Sequence, residues 1–430
     1  VRPQPQSGCK KGAGSACKRG DFMKILIIGK GGREHAMLKA CQKSKLVDKI
    51  YVLPGNCKMD GATRVDIDMY DIEKIKDFAI KENIDLTIVG PADVLALGIK
   101  DEFNKNDLRL FGPTKSATRI ESSRYFTKQL MEKLKIPTTK YVVFTDREQA
   151  LKFVSEIEKF PVTIKIDSLP KNMGIFIARS NKMATDIVNE IFDENENSKI
   201  LVEEFIIGKE FSIFALVKNS KVYPLQIVKD YKRTSDSDDA EHTGGMGACS
   251  PVAKITDNEI EQVVDKILKP MAKSMYEDGY GFEGFLYGEI VVTKDGIKVL
   301  SFNARLGDPE AEVLLPRLES DFVQNILDVM DDKEPEIKWN NEVCVGVVLA
   351  SNGYPSKEKC QDKINLVPIE SNICFMGVEE KNNELYAKGG RNLIVTAMAK
   401  DFEKARELAY RDIEKLKSDS FFYREDVGRF

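Results

Sequence analysis

The segment Ser301-Phe-Asn-Ala-Arg-Leu-Gly-Asp-Pro-Glu310 gathers the densest set of chemically capable side chains in the sequence. Apolar and polar residues alternate from Ile297 to Asn303, which reads as the end of a strand. At period two, Ser301, Asn303 and Arg305 share one face. Polar groups that leave a strand end together, followed by Gly307-Asp308-Pro309-Glu310, mark a site rather than a core. Arg305 offers a planar fork to a carboxylate. Asp308, with Glu310 close behind it, offers a carboxylate to an amino group.

A second set is cationic. Lys165 ends the strand Val162–Lys165 inside an apolar run, where an uncompensated ammonium is costly. A bound anion is the simple remedy; a solvated strand-end lysine is the plainer alternative. Lys128 joins it as a candidate phosphate binder. Lys232 and Arg233, after Asp230 and Tyr231, suit a phosphate or a carboxylate. They open a polar, glycine-rich stretch at 230–250, too long for an idle loop, that contains His242-Thr-Gly-Gly-Met-Gly247. Glycines there permit close approach of backbone to a ligand. Gly29-Lys-Gly31-Gly32-Arg33-Glu34-His35 falls between a strand and a helix, where its amides can cradle a phosphate; a tight βα turn is the plain reading. It is not GxGxxG, and no acidic residue ends the second strand to hold a ribose diol, which weakens a nicotinamide-dependent dehydrogenase.

These side chains need elements to carry them. Met23–Gly29, Lys49–Leu53, Asp85–Val89 and Leu108–Phe111 read as strands, alternating with helices that run through Cys41, over 71–82 and over about 92–105. That alternation means a parallel, doubly wound sheet with its ligand crevice at the strands' carboxyl ends. Ser116–Lys135 reads as one helix. From Pro137 the pattern turns to mixed α+β, with strands at 175–178, 200–203 and 211–214 and a helix at 256–278. A hairpin at 285–303 turns at Lys294-Asp295-Gly296. Strands near 343–350 and 391–397 and a helix at 401–417 suit a small α+β closing domain.

Composition sets outer limits. The chain has 430 residues, room for roughly two to four domains. Hydrophobic content of 42% and charged content of 31% are ordinary for a globular protein. A net charge of −4 gives no basic surface for nucleic acid, and no apolar run is long enough to span a bilayer. Eight scattered Cys without a CxxC pair argue against a zinc framework or disulfides and fit a reducing cytoplasm. With two His, a His-rich metal site is nearly excluded. Residues 1–22 are basic and Gly/Ser-rich, and read as a disordered leader or extension ahead of a natural start at Met23.

GGREHA with Pro54-Gly55-Asn56, HTGGMGACSP, and the Ser301–Glu310 segment together resemble the ATP-grasp ligases and, within them, the glycinamide ribonucleotide synthetase (phosphoribosylamine–glycine ligase) family. The resemblance runs from Met23 to about Gly428. It implies an ATP-grasp fold, α/β and α+β. An N-terminal doubly wound parallel-sheet domain would cover 23–122. The ATP-grasp domain would cover 123–325, with a mobile lid at about 137–210, and a small C-terminal α+β domain 326–430. The implied cofactors are ATP and Mg2+ or Mn2+. The implied partners are glycine and 5-phosphoribosylamine, with no nucleic acid and no membrane, for a cytoplasmic monomer or weak oligomer. ATP would fall to Lys128, Lys165, Glu203, Phe205 and Glu210, the last holding the ribose hydroxyls. Phosphoribosylamine would meet Gly31, Gly32, Arg33, Glu34 and Asn56. Asp230, Lys232, Arg233, Gly244, Gly245, Met246 and Gly247 are further substrate contacts. Glycine would meet Arg305, Asp308 and Glu310. Catalysis would come from Lys165, Arg305 and Asp308 by positioning and charge neutralisation, with no side-chain nucleophile.

The metal would take Asn303 and the position of Ser301, where the family usually carries Glu. Glu289 on the preceding strand is the candidate replacement. The family's ATP-covering loop, approximately KADGLAxGKG, is here Lys165-Ile-Asp-Ser-Leu-Pro-Lys-Asn-Met-Gly174. Ser168 and Asn172 replace glycines and Pro170 is added, which stiffens the loop, and Met173 replaces a lysine. Tyr231, Lys229 and His242 stand where the family has His, Gln and Asn. A catalytically impaired paralogue with a binding or regulatory role is the rival expectation.

Overall fold

The computed structural model describes residues 22–168, 174–237, 240–356 and 361–430. The expectations for the leader and for Pro170, Asn172 and Met173 lie outside those residues. Five parallel strands form the first sheet: β1 (Met23–Gly29), β2 (Val47–Pro54), β3 (Thr63–Arg64), β4 (Leu86–Val89) and β5 (Leu110–Phe111), in the order β3-β2-β1-β4-β5. Ile25, Leu26, Ile27 and Ile28 of β1 are all fully buried, as a central strand covered on both faces requires. The chain reverses direction across the sheet between β1 and β4, so the crevice opens where Gly29 and Gly90 end those strands. The first helix, α1 (Gly32–Gln42), starts there.

Two expected helices are each broken once. Gly98, in the left-handed region at φ 98°, divides Ala92–Leu97 from Ile99–Lys105, a conformation glycine adopts at helix ends. Ser123 is extended and divides Arg119–Ser122 from Arg124–Lys133, and its hydroxyl accepts from the Phe126 amide. A serine that caps the second helix cannot also continue the first.

The lid is a separate antiparallel sheet of β6 (Tyr141–Phe144), β7 (Val162–Ile166), β8 (Ile175–Ala178) and β9 (Ile200–Glu204), ordered β6-β9-β7-β8. Its own core holds Phe144, Ile164, Val188, Phe192 and Val202. The third sheet contains β10 (Lys209–Lys218), β11 (Lys221–Asp230), β12 (Gly247–Ser250), β13 (Glu283–Thr293), β14 (Gly296–Asn303), β15 (Val343–Ser351) and β16 (Asn372–Phe375). A small hairpin, β17 (Val378–Lys381) with β18 (Glu384–Ala387), stands apart, and β19 (Arg391–Ala399) and β20 (Phe421–Phe422) complete the third sheet. Its order is β14-β13-β10-β11-β12-β15-β19-β16, with β20 on β15. It runs unbroken into the C-terminal strands through β12, where Ala248 lies opposite Gly346. β12 sits inside the stretch that read as loop. β11 escapes a pattern reading because Pro224 interrupts it; the proline is accommodated opposite Ala215 beside a register shift.

A bulge shapes the site strand. Glu289 lies opposite Ser301 but Ile290 opposite Val299, which leaves Leu300 as an extra residue. A single apolar cluster, including Ile27, Phe214, Leu306, Val313, Phe322 and Val348, joins the first sheet to the third. Among the described residues no helix is long and apolar enough to cross a membrane.

Candidate functional site

Between the lid and the third sheet lies a cavity of about 360 Å3. Its apolar part is Ile175 and Ile177 of β8, Leu300 of the bulge, and Phe205 and Ile206 in the short link from β9 to β10. Lys165, Glu203, Glu210, Asp230, Lys232, Arg233 and Glu289, all named from the sequence, are among its polar lining.

Glu203 is the hub of the lid wall. One carboxylate oxygen takes Lys165 Nζ at 2.9 Å and Lys128 Nζ at 3.2 Å, and also accepts the Thr139 hydroxyl. The anion that compensates the buried Lys165 is therefore a side chain of the protein. The other oxygen, Oε1, is buried without a partner among the described residues. Burial pushes the Glu203 carboxyl up, but Lys165 and Lys128 outweigh it and hold it below the usual range. Burial, against the pull of Glu203, brings Lys128 down to about 8 and lowers Lys165. Glu203 was expected among the nucleotide's contacts, and its carboxylate ties both candidate phosphate lysines.

On the opposite wall, Ser301 Oγ donates to Glu289 Oε2 at 2.7 Å, and Lys232 pairs with Glu289 Oε1. The cross-strand pairing thus brings Glu289 and Ser301 together, with a cation already on the carboxylate. Asn303 lies opposite Tyr287 on the same strand pair. No group of three or more His, Cys, Asp or Glu able to hold a metal occurs among the described residues. These oxygen donors fit Mg2+ only as an ion shared with phosphates, which is how Mg2+ is commonly held.

Arg305 is held by Glu121, whose Oε1 lies 3.1 Å from Nε and 3.0 Å from Nη2. The same carboxylate accepts the Ala304 amide at 2.7 Å. Asp308 pairs with Arg391 at 2.8 Å and reaches the Arg33 amide at 3.4 Å. Burial raises the Asp308 carboxyl, but Arg391 and Arg33 overcome it and keep it low. Arg391 also donates to the carbonyls of Asp308 and Gly244, both at 2.8 Å, tying GDPE to GGMG. At Gly245, φ is 111° and a Cβ would lie 2.3 Å from Pro309 and 2.7 Å from Asp230 Oδ1. Met246 is fully buried and belongs to the framework; Gly247 opens β12, with Gly346 O 2.6 Å from where a Cβ would be. Burial, and then Glu310 beside it, pushes the Asp230 carboxyl well up.

The turn at 29–34 is closed on itself. Glu34 accepts the Gly31 amide at 2.6 Å and Arg33 Nε at 2.6 Å. A Cβ on Gly90 would lie 1.7 Å from Glu34 Oε1, and one on Gly29 2.5 Å from its carboxyl carbon. These glycines make room for Glu34. Gly32 packs against Glu312, whose Oε1 would lie 2.3 Å from a Cβ there. Asn56 Nδ2 donates to Lys30 O at 2.9 Å and Phe375 O at 3.0 Å, joining this turn to β16.

Several residues at the site had no role from sequence. Glu121 and Glu312 carried no local signal. Arg391, Arg424 and Asp426 lie within the span of the resemblance and had no role assigned; Arg424 and Asp426 line the cavity as an ion pair at 2.6 Å. His242, also on the cavity wall, stood out because it departs from the family's Asn.

Three family domains match in order: the phosphoribosylglycinamide synthetase N domain over 23–121, its ATP-grasp (A) domain over 122–311 and its C domain over 344–430. The chain belongs to the phosphoribosylglycinamide synthetase family. Among its relatives, the phosphoribosylamine–glycine ligase of Lactococcus lactis is 40% identical over 410 residues, covering 94% of this chain and 99% of that protein. The ligase of the same name from Halalkalibacterium halodurans is 39% identical, covering 94% and 96%. The crystal structure of phosphoribosylamine–glycine ligase from Thermotoga maritima superposes with a TM-score of 0.80 at 28% identity, covering 94% of this chain and all of that one. The biotin carboxylase domain of Hydrogenobacter thermophilus 2-oxoglutarate carboxylase, solved with MgADP and bicarbonate, has a TM-score of 0.71 at 16% identity, covers 94% and 92%, and shares the fold. The ATP-grasp fold expected from sequence is thus the fold of the chain.

Proposed function

We propose that the protein joins glycine to 5-phosphoribosylamine, using ATP, to give glycinamide ribonucleotide, ADP and phosphate. The observation that carries this reading is the match over nearly the whole chain to ligases named for that reaction. ATP takes the cavity between the lid and the third sheet. The base lies against Ile175, Ile177, Leu300 and Phe205, the ribose lies near Glu210, and the phosphates lie toward Lys165, Lys232 and Arg233. Lys128, behind Lys165 on the same carboxylate, supports that charge. Mg2+ or Mn2+, held by Glu289, Ser301 and Asn303, neutralises phosphate charge when bound.

Arg305, oriented by Glu121, binds the glycine carboxylate, and Asp308, oriented by Arg391, binds its amino group. A glycine carboxylate oxygen takes the γ-phosphoryl group, giving glycyl phosphate and ADP. The amine nitrogen of phosphoribosylamine then attacks the acyl carbon; phosphate leaves and the nitrogen loses a proton. The protein contributes position and fixed charge throughout. Phosphate release by purified protein, with ATP, Mg2+, glycine and fresh phosphoribosylamine each omitted in turn, tests the reading. Release that needs all four and yields glycinamide ribonucleotide is the expected result; a folded protein without turnover contradicts it.

A further inference from the structure

The segments 231–234 and 241–246 run antiparallel. The Thr243 amide donates to Lys232 O at 2.7 Å, the Thr234 amide to Glu241 O at 3.0 Å, and Arg233 bridges to His242. That pairing fixes His242 on the cavity wall. Its Nδ1 is buried with no hydrogen-bond partner among the described residues, although a ring nitrogen of this kind ordinarily has one. Four cations act on the imidazole: Lys232 and Arg233 on the paired segment, Lys165 on β7, and Arg124 on the helix Arg124–Lys133. Carboxylates also line the cavity, from β9 (Glu203, Glu204), β10 (Glu210), β11 (Asp230) and β13 (Glu289), with Asp236 and Asp426. Glu203 and Glu289 are engaged by Lys165 and Lys232.

Burial first, and then those cations, brings the imidazole down to about 4, so it is neutral at physiological pH. A neutral ring with an unpartnered nitrogen, surrounded by positive charge, is matched to a ligand that reverses the local sign. Resting on the reading that the cavity takes ATP, we propose that His242 becomes an imidazolium ligand of the nucleotide's phosphates, so that nucleotide binding takes up a proton. One phosphate charge about 4 Å away, at an effective dielectric constant of about 20, changes an acid constant about a thousandfold. That is enough to lift the imidazole from about 4 into the neutral pH range, and a triphosphate carries several such charges. Both ring nitrogens then donate, which gives Nδ1 the partner it lacks.

The chain has only two His, so ring-labelled histidine gives two imidazole signals. His35 is an internal control: its Nδ1 accepts the Phe375 amide at 3.1 Å, in the contact between α1 and β16. The protein is titrated with the magnesium complex of the β,γ-imido analogue of ATP at pH 6.5. The expected result is that one imidazole moves to the imidazolium shift at saturation while the other stays neutral. Calorimetry in two buffers of different ionisation enthalpy then shows uptake approaching one proton more for the wild type than for His242→Asn. Saturable binding that leaves both rings neutral, with equal proton uptake by the two proteins, overturns the proposal. Absence of saturable binding overturns the reading of the cavity itself, and the proposal with it. If His242→Asn does not fold, the wild-type spectra still decide, because the His35 signal is the one that nucleotide leaves unchanged.

Discussion

The turn at 29–34 and the cavity between lid and third sheet are both polar and both enclosed, yet they are finished differently. In the turn, Glu34 receives Gly31 and Arg33, and three glycines leave space for its carboxyl. In the cavity, Glu203 Oε1 and His242 Nδ1 lack partners among the described residues, and cations act on the imidazole. A polar cluster that satisfies itself fixes a backbone; one left with unspent charge in a cavity is completed by a ligand. The first holds the backbone at the crevice in place, and the second keeps charge that a ligand can meet.

Breaking each region should therefore give opposite readouts. Glu34→Ala leaves Arg33 buried without its carboxylate and empties the space between Gly29 and Gly90. It should cost about 3–5 kcal/mol of stability by denaturant unfolding. Lys165→Met should do the reverse: Lys128 stays on Glu203, so the melting temperature changes little. kcat/KM for ATP should fall by roughly 100- to 1000-fold, the scale for losing one preorganised charge at a transferring group. Equal losses of stability in both variants would erase the distinction.

Acid sharpens it. His35 is held at about 3 by burial and Lys39, and His242 at about 4, both below the ordinary value of 6.5. The unfolded chain then binds protons that the native protein refuses. Stability is full above pH 6.5 and falls as pH drops toward 4, by at most about 1.4 kcal/mol per pH unit for each ring. Urea unfolding at pH 7, 6 and 5 measures this. Bound nucleotide should remove the His242 share and leave that of His35. The smallest effect belongs to the metal wall. Glu289→Gln should raise the Mg2+ concentration for half-maximal rate by about tenfold, or about 1.4 kcal/mol, read from a Mg2+ titration of the rate.

The N-terminal sheet was legible because β1 and β4 are apolar runs closed by glycine, a signal that needs no distant partner. The helix breaks at Gly98 and Ser123 were not, since each residue is also tolerated within a helix. β11 hid behind Pro224, and only its neighbour in space accommodates the proline. At the site, the residues named from sequence divide between the cavity wall and the Arg305–Asp308 cluster, and their pairings were invisible. Nothing local in Glu121 announces that it will hold Arg305, nor in Lys232 that it will lie on Glu289. The glycines of the first turn could be found by pattern, while the atom they make room for belongs to Glu34 and needs coordinates.

The most direct test of the ligase follows an oxygen atom. Glycine labelled with 18O in its carboxylate, incubated with ATP, Mg2+ and phosphoribosylamine, should pass one labelled oxygen into each phosphate released, because phosphate departs with the oxygen that attacked the γ-phosphorus. Unlabelled phosphate would show that the glycine carboxylate is never phosphorylated and would contradict the account.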